Sequence, residues 1–189
     1  MYSDTVVVYE LSDLSLSETH IAPSCFSYTD GSIDLSVSGG ASPYFYSWVD
    51  TNSFASPSQD LSNLSFGVYT VTVTDGLGCS AFSTVTLQDP TQLVSNGSVT
   101  SDYYGSEISC NGFSDGEITA LVSGGTAPYT YSLDGVNFLI DSVFSSLSSG
   151  LYAVYYKDSH DCPLSEYISI TSPPSLNVVV DNFADISCN

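Results

Sequence analysis

The chain has 189 residues, 42% of them hydrophobic, with 21 acidic side chains against a single basic one, Lys157, and a formal net charge of −20. With no arginine and one lysine it cannot displace the counterions of a polyanion, which excludes nucleic acid and bare anionic membranes as partners. No run of eighteen apolar residues is present to span a bilayer, and 14 tyrosines, 9 phenylalanines and regular apolar alternation argue against disorder.

The elements repeat along the chain. Ser24-Cys25, Ser109-Cys110 and Ser187-Cys188 open similar stretches, 85 and 78 positions apart, so the chain is an array and not one fold. Residues 1–12 read as the last strand of a preceding unit, because Val6 and Val8 fall on the column of Val85 and Leu87, then Ile168 and Ile170. Leu93 and Leu176 each lie 14 positions after a cysteine, and the same offset from Leu14 lands one residue ahead of Met1. The register therefore expects a cysteine there, with Met1 either internal to a longer polypeptide or an artificial start.

Residues 13–90 form the first whole unit. Period-two alternation puts Ile33, Leu35 and Val37 on one strand face, then Tyr44, Tyr46 and Trp48, then Tyr69, Val71 and Val73, with serines and threonines opposite. Residues 91–174 repeat this as Ile118, Ala120 and Val122, then Tyr129, Tyr131 and Leu133, then Tyr152, Val154 and Tyr156. Residues 175–189 read as the first strand of a following unit. Asp30-Gly31, Asp115-Gly116 and Asp134-Gly135 are read as compact turns, and Gly39-Gly40 and Gly124-Gly125 as positive-φ pairs. Pro43 and Pro128 precede the aromatic strand, where a missing N–H does no harm.

Each unit owns two cysteines, 54 residues apart in the first and 52 in the second. No two lie close enough for a metal cluster, so the reading is a disulfide within each unit, Cys25–Cys79 and Cys110–Cys162, with Cys188 left over. Disulfides imply an oxidising, extracytoplasmic compartment. About seven short strands per unit, with Trp48 or Leu133 on the third and a Gly-x-Tyr opening the sixth, predict an all-β chain of two tandem immunoglobulin-like β-sandwiches. Tyr69 and Tyr152 are the expected tyrosine-corner residues.

The run from Cys25 through Asp30-Gly31-Ser32-Ile33, Gly39-Gly40, Pro43-Tyr44-Phe45-Tyr46-Ser47, Leu64-Ser65-Phe66-Gly67-Val68-Tyr69-Thr70-Val71 and Asp75 to Gly78-Cys79, echoed from Cys110 to Cys162, resembles the SprB repeat. This repeat occurs in tandem in very large surface proteins of Bacteroidota, including a gliding-motility adhesin. The second unit departs from the pattern at Leu133, in place of tryptophan, and at His160-Asp161, in place of the glycine before Cys162. The resemblance implies export by the type IX route, a cell-surface, outer-membrane-associated place and a structural stalk or spacer role in an adhesin or filament. Its partners would be neighbouring repeats and the secretion or motility machinery, with any polysaccharide or surface bound by a distant tip. Asp4-Thr5-Val6 and Asp141-Ser142-Val143 are similar to the O-glycosylation signal of exported Bacteroidota proteins, which makes Thr5 and Ser142 glycan candidates.

No catalytic set is expected. His20 and His160 are the only histidines and share no nucleophile. Asp158, His160 and Asp161 are weighed as metal ligands, and Asp89, Asp102 and Glu107 near the unit junction, with Asp30 and Asp115 at equivalent turns, as calcium ligands; turn chemistry is the preferred reading, with no cofactor. Two other functions compete with the spacer: a glycan-binding module using exposed Phe45, Tyr103, Tyr104 and Tyr155, and accessory repeats of a secreted enzyme. The aromatics do not recur at one column, since Phe45 answers to Thr130 and Tyr155 to Thr72.

Overall fold

The computed structural model of the chain describes residues 13–179. Residues 1–12, Thr5, Cys188 and most of the expected following strand lie outside that range. The described residues contain no helix, and all paired strands run antiparallel. They divide into two compact units, one closing at Gln92 and taking in Gly124–Thr126, the other built from Leu93–Ser123 and the chain beyond Ala127.

The first unit has seven strands: β1 (Ser15–Ile21), β2 (Gly31–Ser38), β3 (Phe45–Asp50), β4 (Ala55–Ser56), β5 (Leu61–Leu64), β6 (Gly67–Thr74) and β7 (Ser80–Leu87). They form two sheets in the orders β1-β2-β5 and β4-β3-β6-β7, an immunoglobulin-like sandwich. Alternation fixes what lies between the sheets: Ile33, Leu35, Trp48, Leu61, Leu64, Tyr69, Val71, Val73, Val85 and Leu87 are buried, and Val37, Tyr44 and Tyr46 close the margin. The opposite face of β6 and β7 is mostly hydroxylic, interrupted by the exposed Val68 and Phe82, with the Thr70 and Thr84 hydroxyls 3.3 Å apart. Tyr69 donates its hydroxyl to the Ser65 carbonyl at 3.0 Å, the expected tyrosine corner. Trp48 donates Nε1–H to the Gln59 carbonyl at 3.2 Å.

The second unit uses β8 (Val94–Ser95), β9 (Ser98–Val99), β10 (Gly116–Thr119), β11 (Val122–Ser123), β12 (Thr130–Ser132), β13 (Val143–Leu147), β14 (Gly150–Lys157) and β15 (Pro163–Ile170). Its sheets are β13-β10-β9, β11-β8 and β12-β14-β15. The strand answering to β1 is broken at Asn96-Gly97, and the one answering to β2 between Thr119 and Val122. The core again follows the alternation, with Ile118, Ala120, Tyr131, Val154 and Tyr156 buried beside Ile108, Ile168 and Ile170. The Tyr152 hydroxyl meets the Ser148 carbonyl at 2.9 Å, repeating the corner.

Gly39, Gly40, Gly124 and Gly125 have φ of 73°, 63°, 75° and 59°, as the Gly-Gly pairs demand. Asp30-Gly31 and Asp115-Gly116 correct the expectation of compact turns. Gly31 and Gly116 instead open β2 and β10 without positive φ. A Cβ there would stand 2.9 Å from the carbonyl oxygen of Leu64 or Leu147, so glycine is required for close strand approach.

Strand register defines two ends in the first unit. At the downstream end Gly31 pairs with Leu64 and Gly67 with Leu87, where the chain leaves. At the upstream end Ser15 pairs with Ser38, and Thr74 with Phe45 and Ser80. In the second unit Gly116 pairs with Leu147 and Gly150 with Ile170 at the downstream end, while Lys157 pairs with Thr130 and Pro163 at the upstream end.

Candidate functional site

The residues that recur most closely between the units assemble into two loops per unit. The downstream loop carries Cys25 in the first unit. Ser24 donates both its backbone N–H, at 2.9 Å, and its hydroxyl to the Asp30 carboxylate, and the Tyr28 N–H returns to the Cys25 carbonyl at 3.0 Å. The second unit repeats this with Ser109 N–H and hydroxyl on Asp115 and the Phe113 N–H on the Cys110 carbonyl at 3.1 Å. The Ser-Cys and Asp-Gly motifs are thus one device, a six-residue carboxylate clasp that shapes a cysteine-bearing loop. The serine hydroxyls are the leading cause holding Asp30 and Asp115 below the ordinary carboxylate range. Each loop is also tied to the departing chain: Ser27 N–H reaches Asp89 Oδ1 at 3.1 Å, and Asn111 Nδ2 reaches the Pro173 carbonyl at 3.1 Å.

The upstream loop carries the second cysteine. Asp75, only 3% exposed, accepts N–H bonds from Ala41 at 3.0 Å, Leu77 at 3.0 Å and Cys79 at 2.8 Å. Those backbone donors, Ala41 foremost, lower its pKa. Asp158 does the same work for His160 at 2.9 Å and Cys162 at 3.0 Å. The column held by Gly78 (φ 88°) is taken by Asp161 at φ 61°, whose carboxylate meets Lys157 Nζ at 3.1 Å. The missing glycine therefore changes a side chain without changing the loop conformation.

The expected disulfides are corrected here. Cys79 and Cys110 are free, exposed thiols, whereas Cys25 and Cys162 are disulfide-bonded, so neither Cys25–Cys79 nor Cys110–Cys162 is formed. Register gives the reason. Cys25 lies at the downstream end and Cys79 at the upstream end, separated by the seven steps of β6 from Gly67 to Thr74. At about 3.3 Å per step that is about 23 Å, against the roughly 7 Å that bonded cysteine Cα atoms tolerate. The same holds across β14 for Cys110 and Cys162.

The remaining candidates fall into structural roles. His20, on β1, pairs its Nδ1 with Glu18 Oε2 at 2.9 Å, and the His160 backbone N–H is held by Asp158 at 2.9 Å. Among the described residues no group of three His, Cys, Asp or Glu side chains gathers with metal-binding geometry. Glu107 accepts from Thr171, Asp102 from the Gly105 N–H at 2.8 Å and Asp89 from Ser27, so the carboxylates weighed for calcium are engaged with the chain itself. Asp134-Gly135 is a true turn: Asp134 Oδ1 accepts the N–H groups of Val136 and Asn137, each at 2.8 Å, which depresses its pKa. Phe45 and Tyr104 are exposed, but Tyr155 is half-covered, its ring within 3.3 Å of where a Gly135 Cβ would stand. Ser142 is half-buried, and its carbonyl accepts the Ala120 N–H at 2.7 Å.

Two polar assemblies carry no alternation signal. Gln59 and Asp60 supply side chains just before β5 begins: Asp60 Oδ1 accepts the Leu35 N–H at 2.9 Å and Gln59 Nε2 donates to the Leu35 carbonyl at 2.6 Å, completing β2. In the second unit Glu166 bridges the break between β8 and β9, accepting the Gly97 N–H at 3.0 Å and the Tyr156 hydroxyl. Burial, then the Glu166 bond, pushes the Tyr156 pKa up. For Glu166 the signal was the interruption itself, a polar residue facing a broken strand.

No helix among the described residues is long and apolar enough to cross a membrane. Comparison with curated proteins finds no match. The family model of the SprB repeat matches residues 23–52 and 106–138, the stretches that run from each downstream cysteine loop into the aromatic strand. SprB repeats are a repeat-domain family of cell-surface proteins and not an enzyme family. With the clasp, the paired glycines and the aromatic strand present twice, the SprB-repeat family model falls on both copies, so each unit carries a stretch that matches this repeat.

Proposed function

We propose that this chain is a structural spacer, a segment of the stalk of a large secreted adhesin or filament of the gliding-motility type. Such a protein would be exported by the type IX route and held at the outer membrane. The observation that carries the reading is where the recurring residues go. Ser24, Asp30, Gly31, Gly39, Gly40, Tyr69, Asp75 and their counterparts shape loops, strand approaches and corners. None converges on a polar cleft, so what recurs between the two units is what builds a unit. Uniform acidity supports solubility of an extended surface protein and disfavours anionic partners. Neighbouring repeats are its direct partners, and binding of polysaccharide or a solid surface belongs to a distant tip.

The test uses the purified chain on arrays of bacterial and algal polysaccharides. A spacer gives no saturable binding. Saturable binding that disappears in Phe45→Ala or Tyr104→Ala would replace the spacer by a glycan-binding module.

A further inference from the structure

We propose that Asn111-Gly112, in the downstream loop of the second unit, is a self-modification site: the Asn111 amide is lost to attack by the chain's own backbone, and the loop's tie to the departing chain is cut. The reaction needs only water. The Gly112 backbone nitrogen attacks Asn111 Cγ, the Cγ–Nδ2 bond breaks, and ammonia leaves with the Gly112 N–H proton, closing a succinimide. Water then adds to one of the two imide carbonyls and opens the ring. Aspartate results when the backbone is restored through the main-chain carbonyl, and isoaspartate when it is restored through Cγ. No electron is transferred.

Three conditions select the site. The electrophile must be a neutral amide, the next residue must lack the Cβ that would shield the nitrogen, and that nitrogen's N–H must not be committed elsewhere. The chain has two Asn-Gly pairs, each with an exposed asparagine, and the fold treats them oppositely. At Asn96-Gly97 the Gly97 N–H is held by Glu166 Oε1 at 3.0 Å, and a Cβ on Gly97 would meet that oxygen at 2.5 Å, so the nitrogen is both bonded and walled in. The Asn96 N–H is fixed as well, on the Leu121 carbonyl at 2.7 Å. At Asn111-Gly112 no hydrogen bond among the described residues takes the Gly112 N–H. Gly112 has φ of 85°, and nothing stands within 4 Å of where its Cβ would be, which leaves the approach open.

The four Asp-Gly pairs are held back twice. Hydrogen bonds keep Asp30, Asp75, Asp115 and Asp134 ionised, and a carboxylate is a poor electrophile. Their glycines are engaged too: Gly76 N–H donates to the Ala41 carbonyl at 2.7 Å, Gly135 N–H to Ser132 Oγ at 3.0 Å, and Gly31 and Gly116 lie in strands close against a carbonyl oxygen.

Conversion changes what the loop can hold. Asn111 Nδ2 donates to the Pro173 carbonyl at 3.1 Å and to Ser172 Oγ at 3.4 Å. A carboxylate has no proton to give and meets the Pro173 carbonyl as a second acceptor. Isoaspartate also adds a backbone atom inside the turn that the Phe113 N–H closes on the Cys110 carbonyl at 3.1 Å. All of these groups belong to the second unit, and the inference does not rest on the spacer reading.

The experiment incubates the intact, folded chain at mildly alkaline pH beside a matched sample in strong denaturant. Both are then alkylated and digested after aromatic residues, and amide, aspartate and isoaspartate peptides are separated and identified by mass. Tyr103 and Tyr104 put Asn96 and Asn111 on different peptides. In the folded chain Asn111 should convert at least about tenfold faster than Asn96, the factor imposed by a hydrogen bond to a charged acceptor. In denaturant the two rates should converge. As Asn111 converts, the circular-dichroism melt should fall while the Trp48 transition of the first unit holds. No conversion at Asn111, equal rates in the folded chain, or a ratio that persists in denaturant would overturn the proposal, and a melt unmoved by complete conversion would overturn the role of the tie. None of these outcomes bears on polysaccharide binding, so the two readings fail separately.

Discussion

Removing one hydroxyl from each tyrosine corner gives a paired test of how burial sets the worth of the same bond. Tyr69 is 2% exposed and its hydroxyl is the donor to a half-buried Ser65 carbonyl, while Tyr152 makes the corresponding bond to Ser148 near solvent. An intramolecular hydrogen bond is worth about 1 kcal/mol net, and a shielded acceptor left without its donor adds to that, so Tyr69→Phe should cost about 1.5 kcal/mol. Water replaces the lost donor at Ser148, and Tyr152→Phe should cost about 0.5 kcal/mol. For a unit of this size about 4–8 °C per kcal/mol converts these to about 6–12 °C and about 2–4 °C. The chain contains its own reporter, because Trp48 is the single tryptophan and is fully buried in the first unit. Thermal melts in reductant, followed by Trp48 fluorescence, should shift with Tyr69→Phe and stay in place with Tyr152→Phe; far-ultraviolet circular dichroism should register both. Equal shifts, or a larger one for Tyr152→Phe, would refute the reasoning from burial.

Gly97→Ala should destabilise the second unit by about 1–3 kcal/mol through overpacking, because the added Cβ would stand 2.5 Å from Glu166 Oε1 and 2.6 Å from the Tyr156 hydroxyl; circular dichroism melts check this. Gln59→Ala should cost the first unit about 1–3 kcal/mol, since the Leu35 carbonyl loses its 2.6 Å donor inside the sandwich; chemical denaturation read by Trp48 measures it. Asp30, Asp75, Asp115 and Asp134 all have folded pKa values below 3.8. Their contribution is therefore complete above about pH 4 and is lost as pH falls through the lowered values. Acid titration should show unfolding only below about pH 4, and an unfolding midpoint at pH 5 or above would contradict the clasps.

The sheets were legible because alternation is a one-dimensional property: Ile33-x-Leu35, Tyr46-x-Trp48 and Tyr69-x-Val71-x-Val73 each face the core as their spacing requires. The tyrosine corners were legible for the same reason, a fixed offset along one strand. Asp30-Gly31 misled because a turn and a clasp use the same dipeptide. What separates them is the partner, Ser24, six residues back, and the neighbouring strand at Leu64. The cystine pairing misled because equal spacing within units looks like ownership. Register, which places Cys25 and Cys79 at opposite ends of the sandwich, is a three-dimensional fact that the interval of 54 residues does not encode. Gln59 and Asp60 escaped notice because completing a strand with side chains leaves no periodic trace.

The most direct measurement of the central claim, that each repeat is a folded mechanical unit in series, is force extension of the chain held at its two termini. In reductant the account predicts two separate unfolding steps, each releasing about 200 Å as roughly 70 residues straighten. A single merged step in reductant, or extension with no steps at all, would contradict it.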